Sequence, residues 1–120
     1  MIAAPEARGF IFGCTLALRQ RHGFVPIRKS GKLPSDVATH TYDLEYGQDT
    51  VEMHVDAIQA GQNVVLVDDV LATGGTMNAC AKLVESRGGI VSACVFLLEI
   101  DVLDGRSQLK DYSVRSLIRV

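Results

Sequence analysis

Residues 64–76 constrain the fold more than any other part of the chain. The stretch begins with four apolar residues, three of them β-branched, which predicts a strand buried on both faces. Two adjacent carboxylates, Asp68 and Asp69, follow where that strand is expected to end, and a Gly/Thr loop and a helical pattern come next. In an open α/β sheet, ligands bind outside the carboxyl ends of the strands. The order of these parts therefore predicts a ligand site at that edge of a sheet.

The loop at residues 72–76, Ala-Thr-Gly-Gly-Thr, has the composition of an anion-binding loop. Its glycines can adopt backbone angles closed to other residues and allow an anion to approach the N–H groups. Its threonines add hydroxyl donors, and the N-terminus of the following helix adds unpaired N–H groups and a partial positive charge. Asp68 and Asp69 instead suit ribose hydroxyls, or a Mg²⁺ ion whose waters they hold. The pocket predicted for a single phosphate consists of Ala72, Thr73, Gly74, Gly75 and Thr76.

Two common nucleotide-binding motifs do not fit this stretch. No Gly-Lys-Ser/Thr follows the loop, so it is not a Walker loop, and the dinucleotide fingerprint Gly-x-Gly-x-x-Gly is missing. The remaining alternative is purely structural, namely a strand end followed by a helix-entry turn. The complete string of thirteen residues favours the phosphate pocket over that alternative.

Composition excludes several broad classes of function. A chain of 120 residues is long enough for one domain with one core. Its hydrophobic content of 48% and charged content of 22% are ordinary for a globular protein. The formal net charge of −2 argues against a general nucleic-acid or membrane-surface binder. No apolar run approaches the ~18 residues that a membrane span needs.

The cysteines and the N-terminus predict a cytoplasmic protein. Cys14, Cys80 and Cys94 form no Cys-x-x-Cys motif and have apolar neighbours, so we expect buried free thiols in a reducing compartment. The first residues have no basic segment and no long apolar stretch, which argues against a secretory signal.

Apolar patterns along the chain predict alternating strands and helices. Ile2–Pro5 has the pattern of a strand end, and residues 10–22 have that of an amphipathic helix. A buried strand is expected at residues 90–98 and a more exposed one at 113–118. This alternation predicts an α/β domain with a mostly parallel central sheet flanked by helices. The apolar faces of the two helices are expected to contain Phe10, Ile11, Cys14, Leu16, Ala17 and Leu18, and Met77, Cys80, Ala81 and Val84.

Two further stretches lie between the first helix and the central strand. Residues 28–34 form a basic loop after a short strand, and they are either a solvated turn or a pyrophosphate contact. Residues 42–47 and 49–54 have the alternation of a two-stranded ribbon, with Val51 and Met53 on one face. Such a ribbon is marginally stable alone and therefore mobile, which suits a lid, although an ordinary surface hairpin is the alternative.

Four stretches together resemble the adenine phosphoribosyltransferases, a family of the type I phosphoribosyltransferases. They are residues 6–10 (Glu-Ala-Arg-Gly-Phe), 28–34 (Arg-Lys-Ser-Gly-Lys-Leu-Pro), 42–47 (Tyr-Asp-Leu-Glu-Tyr-Gly) and 67–76 (Val-Asp-Asp-Val-Leu-Ala-Thr-Gly-Gly-Thr). The resemblance implies the type I phosphoribosyltransferase fold and a purine salvage reaction, in which adenine and phosphoribosyl pyrophosphate give AMP and pyrophosphate. It also implies Mg²⁺ as cofactor, and a homodimer, because the family's basic loop can reach the neighbouring subunit's site.

The same resemblance implies a role for each motif. Glu45 and Arg8 are the catalytic candidates, with Glu45 as the acid/base near the adenine ring, and Tyr46 closes over the site as part of the lid. Asp68 and Asp69 hold the ribose hydroxyls, directly or through Mg²⁺, while the loop holds the 5′-phosphate. The cations expected to stabilise the departing pyrophosphate are Arg8, Arg28, Lys29 and Lys32. A non-proline cis peptide bond, which is frequent in the family's pyrophosphate loop, is expected between Glu6 and Ala7.

One departure from the family concerns its N-terminal segment, which forms a hood over adenine. The chain starts after that segment, so we expect residues 1–120 to be a single phosphoribosyltransferase core domain, N-terminally truncated relative to the family and with an exposed apolar edge. Two alternatives to AMP synthesis stay open. One is a regulatory module that binds phosphoribosyl pyrophosphate without turnover, and the other is a transferase for another base.

Overall fold

A seven-stranded sheet with a helix on each face organises the chain, and the computed structural model describes all 120 residues. The helices are α1 (Arg8–Gln20) and α2 (Gly75–Ser86), and two short 3₁₀ helices lie at Asp101–Leu103 and Gly105–Leu109. The strands are β1 (Ile2–Pro5), β2 (Phe24–Lys29), β3 (Val37–Asp43), β4 (Gln48–His54), β5 (Asn63–Leu71), β6 (Ile90–Glu99) and β7 (Val114–Arg119).

The strand order is β3-β4-β2-β1-β5-β6-β7, and the five neighbouring strands β2-β1-β5-β6-β7 pair in parallel. β3 and β4 pair antiparallel with each other, and β4 pairs antiparallel with β2 through Arg28 and Lys29. The predicted α/β class with a mostly parallel sheet is confirmed. Because β1, β2 and β5 are parallel neighbours, the residues that follow each of them meet at one edge of the sheet.

The face of the sheet under α2 contains the main hydrophobic core. Leu66, Phe96 and Cys94 from the strands are fully buried there with α2 residues. All four α2 residues that the helical spacing selected, Met77, Cys80, Ala81 and Val84, are buried as predicted. This packing fixes the N-terminus of α2 against the end of β5.

The apolar face predicted for α1 is wrong at several positions. The helix packs through its small residues Gly9, Gly13 and Ala17, and a Cβ atom on Gly13 would lie 2.8 Å from the Cβ of Ala4. The close approach requires small side chains, so the larger apolar ones point elsewhere. Residues that the pattern placed on the packed face are exposed, including Ile11 (66%), Leu18 (82%) and Cys14.

An open apolar groove lies beside α1, because the helix contacts β1, β2 and β5 and leaves β6 and β7 uncovered on that side. Phe12, Leu97 and Leu117 border this groove of about 390 Å³. Neither helix is long and apolar enough to span a membrane.

The ribbon differs from its predicted boundaries. Its first strand is β3, five residues earlier than the pattern placed it, and residues 44–47 form the turn at the tip. The N–H of Leu44 donates to the carbonyl of Gly47 at 2.9 Å and closes this turn. Val51 and Met53 share one face as predicted, but they are buried in the main core. The base of the ribbon is therefore part of the sheet, and only its tip projects.

A candidate active site at the carboxyl edge of the sheet

A cavity of about 370 Å³ lies where β1, β2 and β5 end and α2 begins. It lies where the sequence predicted a ligand site, although β5 runs four residues beyond the expected strand end at Val67 and contains both acids of the pair. The structure brings eight of the predicted residues to its wall: Arg8, Lys29, Asp68, Asp69, Ala72, Thr73, Gly74 and Thr76. Gly75, Arg28 and Lys32 do not line the cavity, although Gly75 and Arg28 are chain neighbours of residues that do. Arg28 and Lys29 belong to β2 instead of a loop.

The phosphate loop ends in an uncapped helix N-terminus. Gly74 is the N-cap residue of α2, with φ +89° and ψ −5°, and no side chain caps this end of the helix. The first N–H groups of an α-helix have no intrahelical partner, and Thr76 and Met77 of the first turn line the cavity. These donors are therefore available to an anion, and the helix dipole favours its negative charge.

A second glycine, which the motif analysis missed, supports the loop from behind. Gly105, at the start of the second 3₁₀ helix, is buried, and a Cβ atom there would meet the carbonyl oxygen of Ala72. A Cβ atom on Gly74 would lie 2.5 Å from the carbonyl oxygen of Gly105 and 3.0 Å from Cβ of Gln108. The loop and the 3₁₀ helix therefore pack backbone against backbone, and both glycines are needed for that close approach.

The two adjacent acids have different surroundings. Asp68 Oδ1 accepts the N–H of Asp69 at 2.8 Å, and Asp69 Oδ1 accepts the N–H of Val70 at 2.9 Å. The Arg8 guanidinium donates through Nε to Asp69 Oδ2. Burial raises the pKa of Asp68 to about 7, and the neighbouring Asp69 charge acts in the same direction. Burial also acts on Asp69, but the hydrogen bonds from Arg8 and Asp68 outweigh it and hold the pKa of Asp69 below its usual value.

We expect Asp68→Asn to stabilise the free protein while it weakens ligand binding. A carboxyl group whose pKa is raised by folding binds its proton more tightly in the folded state. The contribution of Asp68 to the free energy of unfolding is therefore favourable at low pH and is lost as pH rises from about 4 to about 7. Asparagine cannot ionise and can still accept the Asp69 N–H, so the free energy of unfolding at pH 8 should rise by about 1 to 3 kcal/mol. Urea denaturation at pH 5 and pH 8 measures this.

The matched control for that substitution is Asp56→Asn, which removes an exposed carboxylate between β4 and β5. Its pH dependence of unfolding should match that of the wild type. If the free energy of unfolding of Asp68→Asn changes between pH 5 and pH 8 as much as that of the wild type, burial of Asp68 does not oppose its ionisation.

The basic residues at the end of β2 are held by carboxylates. Lys29 Nζ donates to Asp49 Oδ2, and the backbone N–H of Lys29 donates to Glu6 Oε1 at 2.6 Å. Lys32 Nζ donates to Glu6 Oε2 at 2.6 Å, and Arg28 Nε lies 3.6 Å from Glu6 Oε1. Burial acts to raise the pKa of Glu6, but Lys32 and the Lys29 N–H outweigh it and hold the pKa below its usual value. Glu6 lines the cavity and was absent from the predicted site.

Tyr42, to which the sequence motifs assigned no role in the site, links the ribbon to the basic residues and to the phosphate loop. Its hydroxyl accepts a hydrogen bond from Lys29 Nζ at 3.2 Å and lies 3.5 Å from Thr76 Oγ1. Alternation along residues 42–46 marked this tyrosine only as a ribbon residue. The part of the ribbon next to its tip therefore touches a pyrophosphate candidate and the phosphate loop together.

The predicted acid/base and lid residues lie outside the cavity wall. Glu45 and Tyr46 are at the exposed tip of the ribbon, with Tyr46 at 87% exposure. The structure therefore assembles the phosphate, carboxylate and cation groups in one place and does not bring these two residues to them. The cis peptide bond predicted between Glu6 and Ala7 is present.

Comparison with known proteins agrees with this geometry. The family model described as phosphoribosyl transferase domain matches residues 1–118. The adenine phosphoribosyltransferase of Thermoanaerobacter pseudethanolicus is 59% identical over 119 residues, which cover 99% of this chain and 69% of that protein. The chain belongs to the adenine phosphoribosyltransferase family. Its function is therefore that of a purine salvage transferase, which makes AMP and pyrophosphate from adenine and phosphoribosyl pyrophosphate.

Solved structures of the family have the same fold. The crystal structure of adenine phosphoribosyltransferase from T. pseudethanolicus superposes with a TM-score of 0.97 at 59% identity, over 99% of this chain and 69% of that one. The Saccharomyces cerevisiae enzyme, solved with adenine and D-2,5-dideoxy-2,5-imino-altritol 1,6-bisphosphate, superposes with a TM-score of 0.92 at 47% identity, over 97% of this chain and 65% of that one. The predicted type I phosphoribosyltransferase fold is confirmed.

Proposed function

We propose that the cavity at the carboxyl edge of the sheet binds phosphoribosyl pyrophosphate and carries out the family reaction. The observation that carries this proposal is that three kinds of group line one cavity. They are the Gly/Thr loop at the N-terminus of α2, the carboxylates Asp68 and Asp69, and the cations Arg8 and Lys29. These groups complement the 5′-phosphate, the ribose hydroxyls and the pyrophosphate, in that order.

The proposed catalytic contribution of the cations follows from the charge that the reaction develops. Breaking the C1′–O bond of the substrate leaves positive charge on the ribose and negative charge on the departing pyrophosphate. Cations fixed before the reaction stabilise that negative charge without reorganising. Arg8 and Lys29 line the cavity for this role, and Arg28 and Lys32 flank it.

We propose that substrate binding exchanges the partners of Arg8 and Asp69. In the free protein the two side chains hydrogen bond each other. A ribose hydroxyl can donate to Asp69 in place of the guanidinium, which then becomes available to the pyrophosphate. The ion pair therefore keeps both groups at the cavity and ready to exchange.

The acid pair also fits the cofactor that the family implies. No group of three or more His, Cys, Asp or Glu residues in the chain can enclose a metal ion. Mg²⁺ typically takes only one or two carboxylates from a protein and completes its coordination with water and substrate phosphates. Asp68 and Asp69 would hold it in this way, and the ion would neutralise part of the pyrophosphate charge.

The adenine end of the site is proposed from the position of the ribbon. Glu45 and Tyr46 lie at a projecting tip, and Tyr42, next to that tip in β3, contacts Lys29 and Thr76. Closure of the tip over the cavity would bring the Glu45 carboxylate to the base, where it exchanges a proton with a ring nitrogen. A cytoplasmic homodimer is proposed on the family resemblance, as is a single core domain at residues 1–120.

An assay of AMP formation with adenine, phosphoribosyl pyrophosphate and Mg²⁺ tests the proposed function. We expect AMP and pyrophosphate in equal amounts, a loss of at least about tenfold in rate when EDTA removes the metal, and no product from hypoxanthine or orotate. Calorimetric titration with phosphoribosyl pyrophosphate runs beside it. Saturable binding without product would favour the regulatory module, because Glu45 and Tyr46 are the groups that lie outside the cavity. Absence of binding would contradict the assignment of the loop and the acid pair.

A further inference from the structure

We infer that Glu6 and Glu52 are positioning residues, which hold the basic segment 28–32 in the geometry that the pyrophosphate requires. This inference rests on the proposed function of the cavity. Neither residue carries out chemistry on the substrate. Each acts through the backbone or side chains of the cationic segment.

Glu6 holds the segment from the side of β1. Its own N–H donates to the carbonyl of Ile27 at 2.9 Å, so its backbone continues the β1–β2 ladder. One carboxylate oxygen accepts the Lys29 N–H and the other accepts Lys32 Nζ, both at 2.6 Å. The side chain is only 12% exposed, so water competes weakly for these bonds. A single carboxylate thus fixes the start of the turn and the end of a flexible lysine.

Glu52 holds the same segment from the side of β4. It pairs with Arg28 in the antiparallel ladder, and its Oε1 accepts the N–H of Gly31 at 2.8 Å. Gly31 has φ +83° and forms the turn between Lys29 and Lys32. At 7% exposure, Glu52 is one of only two buried acidic residues in the chain. A buried carboxylate is costly unless its hydrogen bonds are made, so this contact strongly fixes the turn.

The negative charge of Glu6 makes a positioning role distinguishable from that of a simple counterion. A carboxylate on the wall of a pyrophosphate cavity repels the ligand, and its removal should by charge alone strengthen binding. A positioning role predicts the opposite sign, because a free lysine loses about 2 kcal/mol of side-chain freedom when the ligand fixes it. The two roles are therefore separated by the direction of one measurement.

The test compares two ligands by calorimetric titration in the presence of Mg²⁺. In the proposed site, phosphoribosyl pyrophosphate contacts the phosphate loop, the acid pair and the basic segment, whereas ribose 5-phosphate lacks the pyrophosphate and contacts only the loop and the acid pair. We expect Glu6→Ala to weaken binding of phosphoribosyl pyrophosphate about tenfold and to leave ribose 5-phosphate unchanged. Glu6→Gln, which can still accept the Lys29 N–H, should fall between Glu6→Ala and the wild type.

Glu52 gives an independent pair of variants. Glu52→Gln preserves an acceptor for the Gly31 N–H and should bind phosphoribosyl pyrophosphate within about twofold of the wild type, whereas Glu52→Ala should lose about tenfold. Asp56→Asn removes one exposed negative charge at the opposite end of the parallel strands and serves as the charge control, with both affinities unchanged. Thermal unfolding of each variant confirms that it is folded.

Each remaining outcome is decisive. Tighter or unchanged binding of phosphoribosyl pyrophosphate by Glu6→Ala would show that Glu6 is only a counterion and would overturn the inference. Equal losses for both ligands would indicate general damage and would overturn it as well. A wild-type chain that binds neither ligand would overturn the proposed function itself, and the inference with it.

Discussion

Gly74→Ala is expected to abolish measurable binding of phosphoribosyl pyrophosphate and to destabilise the fold by about 2 to 4 kcal/mol. Two causes add together. The residue has φ +89°, where a side chain is strained, and the new Cβ would lie 2.5 Å from the carbonyl oxygen of Gly105. Relief of that contact requires the loop to move away from the 3₁₀ helix, which misdirects the N–H groups at the start of α2. Urea denaturation and calorimetric titration measure the two effects.

Gly61→Ala is the matched control for this substitution. Gly61 has φ +83°, close to the value at Gly74, but nothing lies within 4 Å of the position of its Cβ. The control therefore carries the backbone strain without the steric contact, and it should cost about 1 kcal/mol with no loss of ligand affinity. If the two variants are equally stable and bind equally well, the close packing of the loop against Gly105 has no energetic role.

The phosphate loop and the acid pair were predictable because their chemistry is local. Asp68, Asp69 and the loop are contiguous, and the strand and helix on either side have strong patterns of their own. Once those two elements are recognised, the general rule for α/β sheets places the loop at the carboxyl edge. This part of the site can therefore be recognised in the sequence without knowledge of long-range contacts.

The supporting residues could not be predicted because their partners are distant in the chain. Glu6 and Lys29 are 23 residues apart, Gly31 and Glu52 are 21 apart, and Tyr42 and Thr76 are 34 apart. No local pattern indicates that these side chains meet, since the contacts depend on the register of β2 with β1 and β4. A single acidic residue more than 20 positions away from a basic stretch carries too little information on its own.

The misassigned face of α1 has a different cause. A count of apolar residues favours the side with Ile11 and Leu18, whereas the sheet accepts only the side with Gly9 and Gly13. Ala4 and Phe24 leave no room for a larger side chain at Gly13. Steric fit therefore overrides hydrophobicity, and only the packed structure contains that information.

Glu45→Gln is expected to lower kcat for AMP formation by at least about 100-fold, which is the usual size of a general acid–base contribution. Glutamine has nearly the shape of glutamate but cannot exchange a proton with the adenine ring. Because Glu45 lies outside the cavity in the free protein, its loss should leave the affinity for phosphoribosyl pyrophosphate unchanged. Steady-state rates and calorimetric titration together separate these two quantities.

The control for this substitution lies two residues earlier on the same ribbon. Asp43→Asn also removes a carboxylate, and its remaining oxygen can still accept the Gln48 side chain, which donates to Asp43 at 3.1 Å. It should retain kcat within about twofold, because it leaves the acid–base group in place. Equal losses in the two variants would mean that the ribbon contributes its overall negative charge and not a specific proton acceptor. A loss confined to Glu45→Gln would mean that the projecting tip, exposed in the free protein, reaches the reacting base during turnover.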